Sequence, residues 1–171
     1  EIKVSYQNIS NNPSKPAGFF SRLFGGGNNK NPSLMENSSS LHSAFDSVQA
    51  NVLIADTSFN LIYANPKAVD TLQDIGDDIQ KAFRVDTRDI VGGSIHRFHK
   101  DPSKIEQILL NPRSLPHIAQ FSFGEITLAA HVNGIYGPQG ETTGYIVNWE
   151  NVTEKQKVER KAAEVSSMME N

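Results

Sequence analysis

The chain has 171 residues with 16 basic and 19 acidic side chains, so its net charge of −3 gives no electrostatic case for nucleic-acid binding. It contains no cysteine, which excludes disulfides, thiolate catalysis and cysteine-ligated zinc or iron–sulfur clusters and leaves histidine as the strongest metal ligand. No apolar run approaches the roughly 20 residues needed to cross a bilayer, so we expect one domain with tails in a soluble, reducing compartment, without membrane insertion.

Residues 1–37 differ in composition from the rest of the chain. They are rich in Asn, Ser, Pro and Gly, which predicts a flexible linker or tail. Within them, FFSRLF (Phe19–Phe24) is either a sticky spot in that linker or a short amphipathic turn that docks on a partner.

The folded region opens with a helix and a hairpin. Apolar residues at helical spacing predict an amphipathic helix over Ser38–Val48, capped by its serine. Two apolar runs, Asn51–Asp56 and Phe59–Ala64, predict strands joined by a short turn. Asn65 and Pro66 then mark the start of a second helix, because proline at the first helical position loses no hydrogen bond.

The central stretch is VGGSIHRFHKDP (Val91–Pro102), which holds His96 and His99. Its glycine pair interrupts the chain, and SIHRF predicts one helical turn. Asp101 followed by proline predicts the start of another helix. A histidine on such a turn can be a metal ligand, a hydrogen-bonded structural residue or a surface residue.

Three alternating segments follow and predict three antiparallel strands, at Leu115–Phe123, Ile126–Val132 and Thr143–Glu150. From Thr153 the chain is charged and helical, with a heptad stripe typical of the start of a coiled coil: Val158, Ala162, Val165 and Met169. The order of elements predicts an α+β fold, in which a five-stranded antiparallel sheet carries short helices on one face and a C-terminal exit helix. Room for a small ligand is expected between the sheet and the helices.

Motifs of the common catalytic sites are missing from the sequence. It has no Gly-x-Ser-x-Gly, no phosphate-binding P-loop and no His-Glu-x-x-His, and its acidic residues show no paired arrangement. We therefore expect no enzyme activity.

Several motifs resemble those of the PAS domain: NVLIADTSFNLIYAN, the GxSI turn, GEITLAAHVNGIY, GETTG and NWENVTE. The resemblance implies a PAS sensor domain over residues 38–152 and a signalling helix over 153–171. FHKDP, together with a last strand that ends in Trp, is similar to the PAS domains of bacterial methyl-accepting chemotaxis receptors. Within that group it resembles the b-type heme-binding PAS domains of aerotaxis-type receptors.

The resemblance implies roles for particular residues. His99 corresponds to the proximal heme-iron ligand, and Trp149 to the distal residue that hydrogen-bonds bound oxygen. Asn151 and Thr153 occupy the family's Asp-x-Thr element, which couples the sheet to the exit helix, with Asn in place of the acid. The distal aliphatic position of the heme-binding receptors falls on Ala130 or Leu128.

The residues themselves leave alternatives beside these roles. A neutral imidazole suits heme iron, but His99 could instead cap or pack beside Asp101. Trp149 could be a core aromatic. An apolar lining that keeps water from the iron is expected from nine residues: Ile95, Phe98, Leu109, Leu115, Ile118, Leu128, Ala130, Val132 and Val147.

The histidines outside this pair have less definite roles. His96 is expected at the surface; the other possibilities are that it is the ligand instead of His99, or that it binds a propionate. His42 and His131 are expected to be exposed, and the sequence does not place His117. Gly92–Gly93 would let the backbone approach a flat macrocycle closely, and Arg97 and Lys100 would pair with its propionates or be solvated.

The resemblance thus implies a sensory module of a cytoplasmic chemoreceptor that binds heme b and senses oxygen or another diatomic gas. It would act as a homodimer through its flanking helices and pass the signal to a downstream receptor signalling domain. The alternatives are a cofactor-free PAS dimerisation or relay module, and a PAS domain that binds flavin or a small organic ligand.

Overall fold

The computed structural model describes residues 4–7 and 36–170. Six strands lie within them: β1 (Val4–Gln7), β2 (Asn51–Ala55), β3 (Leu61–Ala64), β4 (His117–Phe123), β5 (Ile126–Tyr136) and β6 (Thr142–Asn151). The α-helices are α1 (Ser38–Ser47), α2 (Pro66–Asp74), α3 (Gly76–Phe83), α4 (Pro102–Leu110) and α5 (Thr153–Met169). All strand pairs are antiparallel, and the strand order is β1-β4-β5-β6-β2-β3.

Strands β2 to β6 form the five-stranded antiparallel sheet that the sequence predicts, which confirms the α+β architecture. Strand β1 is an addition. It pairs with β4 at the sheet edge, with Val4 opposite Phe121 and Gln7 opposite Ile118. Composition had included these residues in the predicted linker. Apart from them and residues 36–37, that predicted linker lies outside the described residues, and so does FFSRLF.

Short polar side chains begin the helices. Asn65 before α2 and Asp101 before α4 each accept a backbone N–H from the first turn, and each is followed by proline, as the sequence predicts. At α1 the predicted serine cap is wrong by one residue. The cap is Asn37, whose side-chain oxygen accepts two backbone N–H groups, and Ser38 is the first helical residue.

Asn65 also joins three segments of the chain through its buried amide. Its oxygen accepts the N–H groups of Val52 and Ala68, both at 3.0 Å. Its nitrogen donates to the carbonyls of Val48 at 3.1 Å and Ala50 at 2.8 Å. The side chain is 0% exposed, so each partner would be left unsatisfied in its absence.

The core lies between one face of the sheet and helices α2 and α3. Its largest buried cluster contains Ala55, Leu61, Ala68, Leu72, Ile75, Ile79, Val85, Ile90, Phe123, Leu128, Ala130 and Trp149. A smaller cluster of Phe59, Leu109 and Tyr145 lies toward α4. The sheet is therefore covered by helices on the face that carries the tryptophan.

Helix α5 leaves the sheet directly after β6 and buries little of its length. Its apolar stripe is exposed, with Val158 at 65%, Val165 at 56% and Met169 at 82%. The stripe is as the sequence predicts, and its pairing with a second helix stays a prediction.

We expect Asn65→Ala to lower the free energy of unfolding by about 3 kcal/mol, because buried donors and acceptors lose their partner. The free energy of unfolding of Asn65→Asp should lie between those of the wild type and Asn65→Ala. The aspartate keeps the acceptor oxygen but places a carboxylate against two carbonyl groups. Lys67→Ala, on the exposed side of the same helix, is the matched control. Urea unfolding measures all three, and a loss no larger for Asn65→Ala than for the control would contradict the role given to Asn65.

Candidate functional site

A cavity of about 220 Å³ lies between the inner face of the sheet and the helical segment. Its walls are almost entirely apolar. They are formed by Leu53, Ala55, Leu61, Leu72, Ile79, Phe83, Ile90, Ile95, Phe98, His99, Ile105, Ile108, Leu109, His117, Ala119, Phe121, Phe123, Leu128, Ala130, Val132, Tyr145, Val147 and Trp149. The polar side chains among these lining residues are the imidazoles of His99 and His117, the indole of Trp149 and the phenol of Tyr145.

The backbone that carries His99 is fixed to the β2–β3 turn. Residues Ile95–Phe98 form a 3-10 turn capped by Ser94. The Ile95 N–H donates to the carbonyl of Phe59 at 2.9 Å, and the Leu61 N–H donates to that of Gly93 at 2.9 Å. The position of His99 is therefore set by the sheet as well as by the turn.

The His99 ring is oriented by one hydrogen bond. Its Nδ1 lies 2.8 Å from the carbonyl oxygen of Ile95. A carbonyl can only accept, so Nδ1 carries the proton and the neutral ring keeps its lone pair on Nε2. Burial lowers the pKa of His99 below its ordinary value, against the opposing effect of the bond to Ile95, and His96 lowers it further. The neutral form, which can bind a metal, is thus favoured.

Trp149 lies on the opposite wall, two residues before the end of β6. It is 7% exposed, and its Nε1 is buried with no hydrogen-bond partner among the described residues. Its backbone neighbour across the sheet is Ala130 on β5. A buried indole N–H without an acceptor loses the energy of a hydrogen bond, so this donor is suited to a small ligand in the cavity.

Most of the expected lining lies at the cavity, and two residues do not. Ile95, Phe98, Leu109, Leu128, Ala130, Val132 and Val147 all line it. Leu115 instead packs against the smaller cluster beside α4. Ile118 was predicted on the wrong face: side chains alternate along β4, and the inward residues are His117, Ala119, Phe121 and Phe123.

His117 and Tyr145 also line the cavity, and burial lowers the pKa of His117. Sequence alone does not predict where His117 lies. Strict alternation along HIAQFSF, anchored on the two phenylalanines, would have placed it inward with them. The predicted lining places Leu115 and Ile118 on one face. Residues three apart on a strand point to opposite faces, so both cannot line the cavity.

His96 is not the surface residue that the sequence predicted. Its side chain is 25% exposed, its Nε2 lies 2.9 Å from Glu106 Oε1 on α4, and its ring packs against Phe59 with centroids 5.5 Å apart. It thus links the turn to α4. His131 and His42 are exposed, as expected.

Arg97 is bound to the backbone of its own segment. It donates to the carbonyls of Asp89 and Ile90, both at 2.9 Å, and of Ser94 at 3.0 Å. A Cβ at Gly93 would collide with the Arg97 guanidinium. Gly93 therefore makes room for this arginine, and neither glycine of the pair lines the cavity.

A hydrogen-bonded latch joins the end of β6 to α5 and β5. Asn151 Oδ1 accepts from the Thr153 hydroxyl at 2.5 Å and from its backbone N–H at 3.1 Å. The Thr153 hydroxyl oxygen accepts the Thr127 N–H at 2.9 Å. An amide oxygen serves here as a carboxylate oxygen would, so the exchange of Asp for Asn keeps the contact.

The described part of the chain contains neither a cluster for a bare metal ion nor a membrane-crossing helix. Residues 4–7 and 36–170 contain no group of three or more metal-binding side chains that could hold a bare metal ion. None of their helices is long and apolar enough to cross a membrane.

Comparison with known sequences gives two matches. A profile of the PAS domain family matches residues 39–101. The methyl-accepting chemotaxis protein McpB of Pseudomonas aeruginosa is 30% identical over 126 residues, which are 73% of this chain and 18% of that protein. The chain thus spans about a fifth of the length of this curated relative.

Solved structures show the same fold. The Aer2 receptor from Vibrio cholerae, described as a dual PAS-heme oxygen sensor, superposes with a TM-score of 0.57 and 25% identity over 61% of this chain and 95% of that one. An RNA-binding light-oxygen-voltage receptor superposes with a TM-score of 0.56 and 14% identity over 98% of this chain and 44% of that one, which shows a shared fold alone. With the sheet order and the helices on one face, these similarities establish that the chain belongs to the PAS domain family.

Proposed function

We propose that this PAS domain is the gas-sensing module of a cytoplasmic chemotaxis receptor, that it binds heme b through His99, and that it senses oxygen or another diatomic gas. The observation that carries the proposal is the state of His99: a neutral imidazole in an apolar cavity, with Nδ1 donating to Ile95 and the lone pair left on Nε2. The Vibrio cholerae receptor described as a PAS-heme oxygen sensor supports it as the relative with a matching fold at 25% identity.

The chemistry of the residues that line the cavity suits a heme. Heme iron would supply the gas-binding centre, and it needs only one strong axial ligand from the protein. Aromatic side chains Phe83, Phe98 and Phe121 provide flat apolar walls. A ligating imidazole is usually oriented by a hydrogen bond from its other ring nitrogen, which also raises its basicity. The carbonyl of Ile95 makes this bond to His99.

Trp149 would supply the polar contact to the gas. Its indole N–H has no competing acceptor among the described residues, and it cannot itself bind iron because it is only a donor. Leu128 and Ala130 beside it keep the surroundings apolar. The tryptophan would therefore stabilise a polar diatomic gas more than a nonpolar one.

The signal would leave through β6. Trp149 is separated from Asn151 by one residue, and the latch of Asn151, Thr153 and Thr127 ties the strand end to the start of α5. A gas that draws the indole toward itself would pull on this strand and shift the latch. Such a switch works only if the gas binds the two arrangements with different affinity. The exposed stripe of α5 would pair in a homodimer and pass the change to a downstream signalling domain.

His99→Ala should abolish heme binding by the purified chain, because it removes the axial ligand. The wild-type chain purified from heme-supplemented cells should be red, with an intense Soret band, and His99→Gly should regain that band on addition of free imidazole. His131→Ala, which replaces an exposed histidine, is the control and should keep full heme content. A colourless wild-type protein would contradict the heme proposal and favour the cofactor-free module, and a yellow one would favour flavin.

Trp149→Phe keeps an aromatic ring but removes the donor. We expect unchanged heme content and roughly tenfold faster oxygen dissociation, the effect of losing one buried hydrogen bond of about 1.4 kcal/mol. Stopped-flow exchange of oxygen for carbon monoxide measures this rate. An unchanged rate would show that Trp149 is only a core aromatic.

Thr153→Val should uncouple α5 from the cavity, because valine keeps the shape but loses the hydroxyl that holds Thr127 and Asn151. Hydrogen–deuterium exchange of the first turn of α5 should differ between gas-loaded and gas-free wild-type protein, and this difference should disappear in the variant. Asn151→Asp keeps the acceptor oxygen, so the exchange difference between the gas-loaded and gas-free protein should persist in that variant. Persistence of the difference in Thr153→Val would rule out the latch as the route.

A further inference from the structure

We propose that Asn51 is a positioning residue for Trp149, and that the hydroxyl of Thr71 on α2 sets the orientation of the Asn51 amide. The inference rests on the role of Trp149 in the proposed function. It adds two residues outside the cavity lining, Asn51 on the neighbouring strand β2 and Thr71 on α2.

The first step is the contact between Asn51 and the tryptophan backbone. Asn51 on β2 is the direct cross-strand partner of Trp149 on β6. Its Nδ2 donates to the Trp149 carbonyl oxygen at 3.0 Å, and the residue is only 7% exposed. The amide therefore holds the tryptophan backbone through a side-chain bond in a buried position.

The second step is the need for such a clamp. The Trp149 indole has no hydrogen-bond partner among the described residues, so nothing polar fixes the ring itself. Its orientation depends on packing and on where the backbone of residue 149 lies. The bond from the Asn51 side chain adds to the sheet pairing of Trp149 with Ala130 and Asn51 and further fixes the backbone from which the indole projects. Orienting a donor in advance lowers the cost of binding.

The third step is the role of Thr71. The Trp149 carbonyl can only accept, so the amide must present Nδ2 to it and Oδ1 to Thr71. Thr71 Oγ1 lies 2.7 Å from Asn51 Oδ1 and 2.9 Å from the carbonyl of Lys67. A hydroxyl has one proton to donate, and the shorter distance is to Asn51. Thr71 thereby locks the amide and ties the clamp to α2.

The test uses the fact that Trp149 is the only tryptophan in the chain. A ¹H–¹⁵N spectrum of the heme-free full chain therefore contains one indole N–H resonance, which reports the surroundings of that donor without any gas-binding assay. Thr71→Val removes the hydroxyl at nearly constant shape, and Thr71→Ser restores it. Thr143→Val, the same class of substitution at an exposed site on β6, is the matched control.

We expect the indole resonance to be displaced in Thr71→Val and in Asn51→Ala, and to coincide with wild type in Thr71→Ser and Thr143→Val. In the heme-loaded protein, Thr71→Val should also speed oxygen dissociation about threefold at unchanged heme content, as partial loss of one hydrogen bond would. An indole resonance in Thr71→Val that coincides with wild type would overturn the proposal, and so would an equal displacement in Thr143→Val.

The design separates this proposal from the function on which it rests. A chain that binds no heme would contradict the proposed function, while the indole resonance would still decide whether Thr71 and Asn51 position Trp149. Should Asn51→Ala fail to fold, the two Thr71 variants decide the question alone.

Discussion

The hydrogen bond between His99 Nδ1 and the carbonyl of Ile95 is the constraint on which the rest of the site depends. It fixes the tautomer, and burial keeps the ring neutral, so that Nε2 retains a lone pair. The same segment is held to the β2–β3 turn by the backbone hydrogen bond of 2.9 Å from the Ile95 N–H to the Phe59 carbonyl. The imidazole is therefore positioned by the fold before any cofactor enters, which is what a stable axial ligand requires.

On the opposite wall of the cavity, hydrogen bonds hold the backbone and not the ring. Trp149 is held through its backbone, by Asn51, while its indole donor is left without a partner in the described part of the chain. Strand β6 then continues to the latch at Thr153. The imidazole of His99 is thus oriented by a hydrogen bond, whereas the indole donor of Trp149 has no partner among the described residues and lies on the strand that leads to the exit helix. Under the proposed function, this difference between the walls would make the strand respond to what binds in the cavity.

Much of the fold was predictable because its signals are local. Asn65–Pro66 and Asp101–Pro102 each name a helix start, and alternation marks β5 and β6 directly. The fourth strand was harder: Ile118 is as apolar as its inward neighbours, so hydrophobicity alone misplaced it, and only the strict two-residue period assigns His117 and Phe121 to the cavity. Strand β1 gave no usable signal, because four residues paired at a sheet edge depend on the partner strand rather than on their own pattern.

The main residues of the site could be predicted from the sequence, but the hydrogen bonds and ion pairs around them could not. Motif resemblance indicated His99 and Trp149, and both line the cavity. It could not indicate that Arg97 would bind backbone carbonyls of its own segment, because that contact depends on the local path of the chain. Nor could it indicate that His96 would pair with Glu106, since that contact joins elements whose relative placement is tertiary. The same holds for Asn51 and Thr71, which meet across 20 residues of sequence.

The central claim, that the Nε2 atom of His99 holds the heme, is tested most directly by resonance Raman spectroscopy of the reduced, gas-free protein. An iron–imidazole stretching band should be present, should shift when histidine is labelled with ¹⁵N, and should remain in His131→Ala. In His99→Gly reconstituted with unlabelled imidazole, the band should lose its sensitivity to labelled histidine. A band in His99→Gly that still shifts with histidine labelling would place the ligand on another residue and contradict the account.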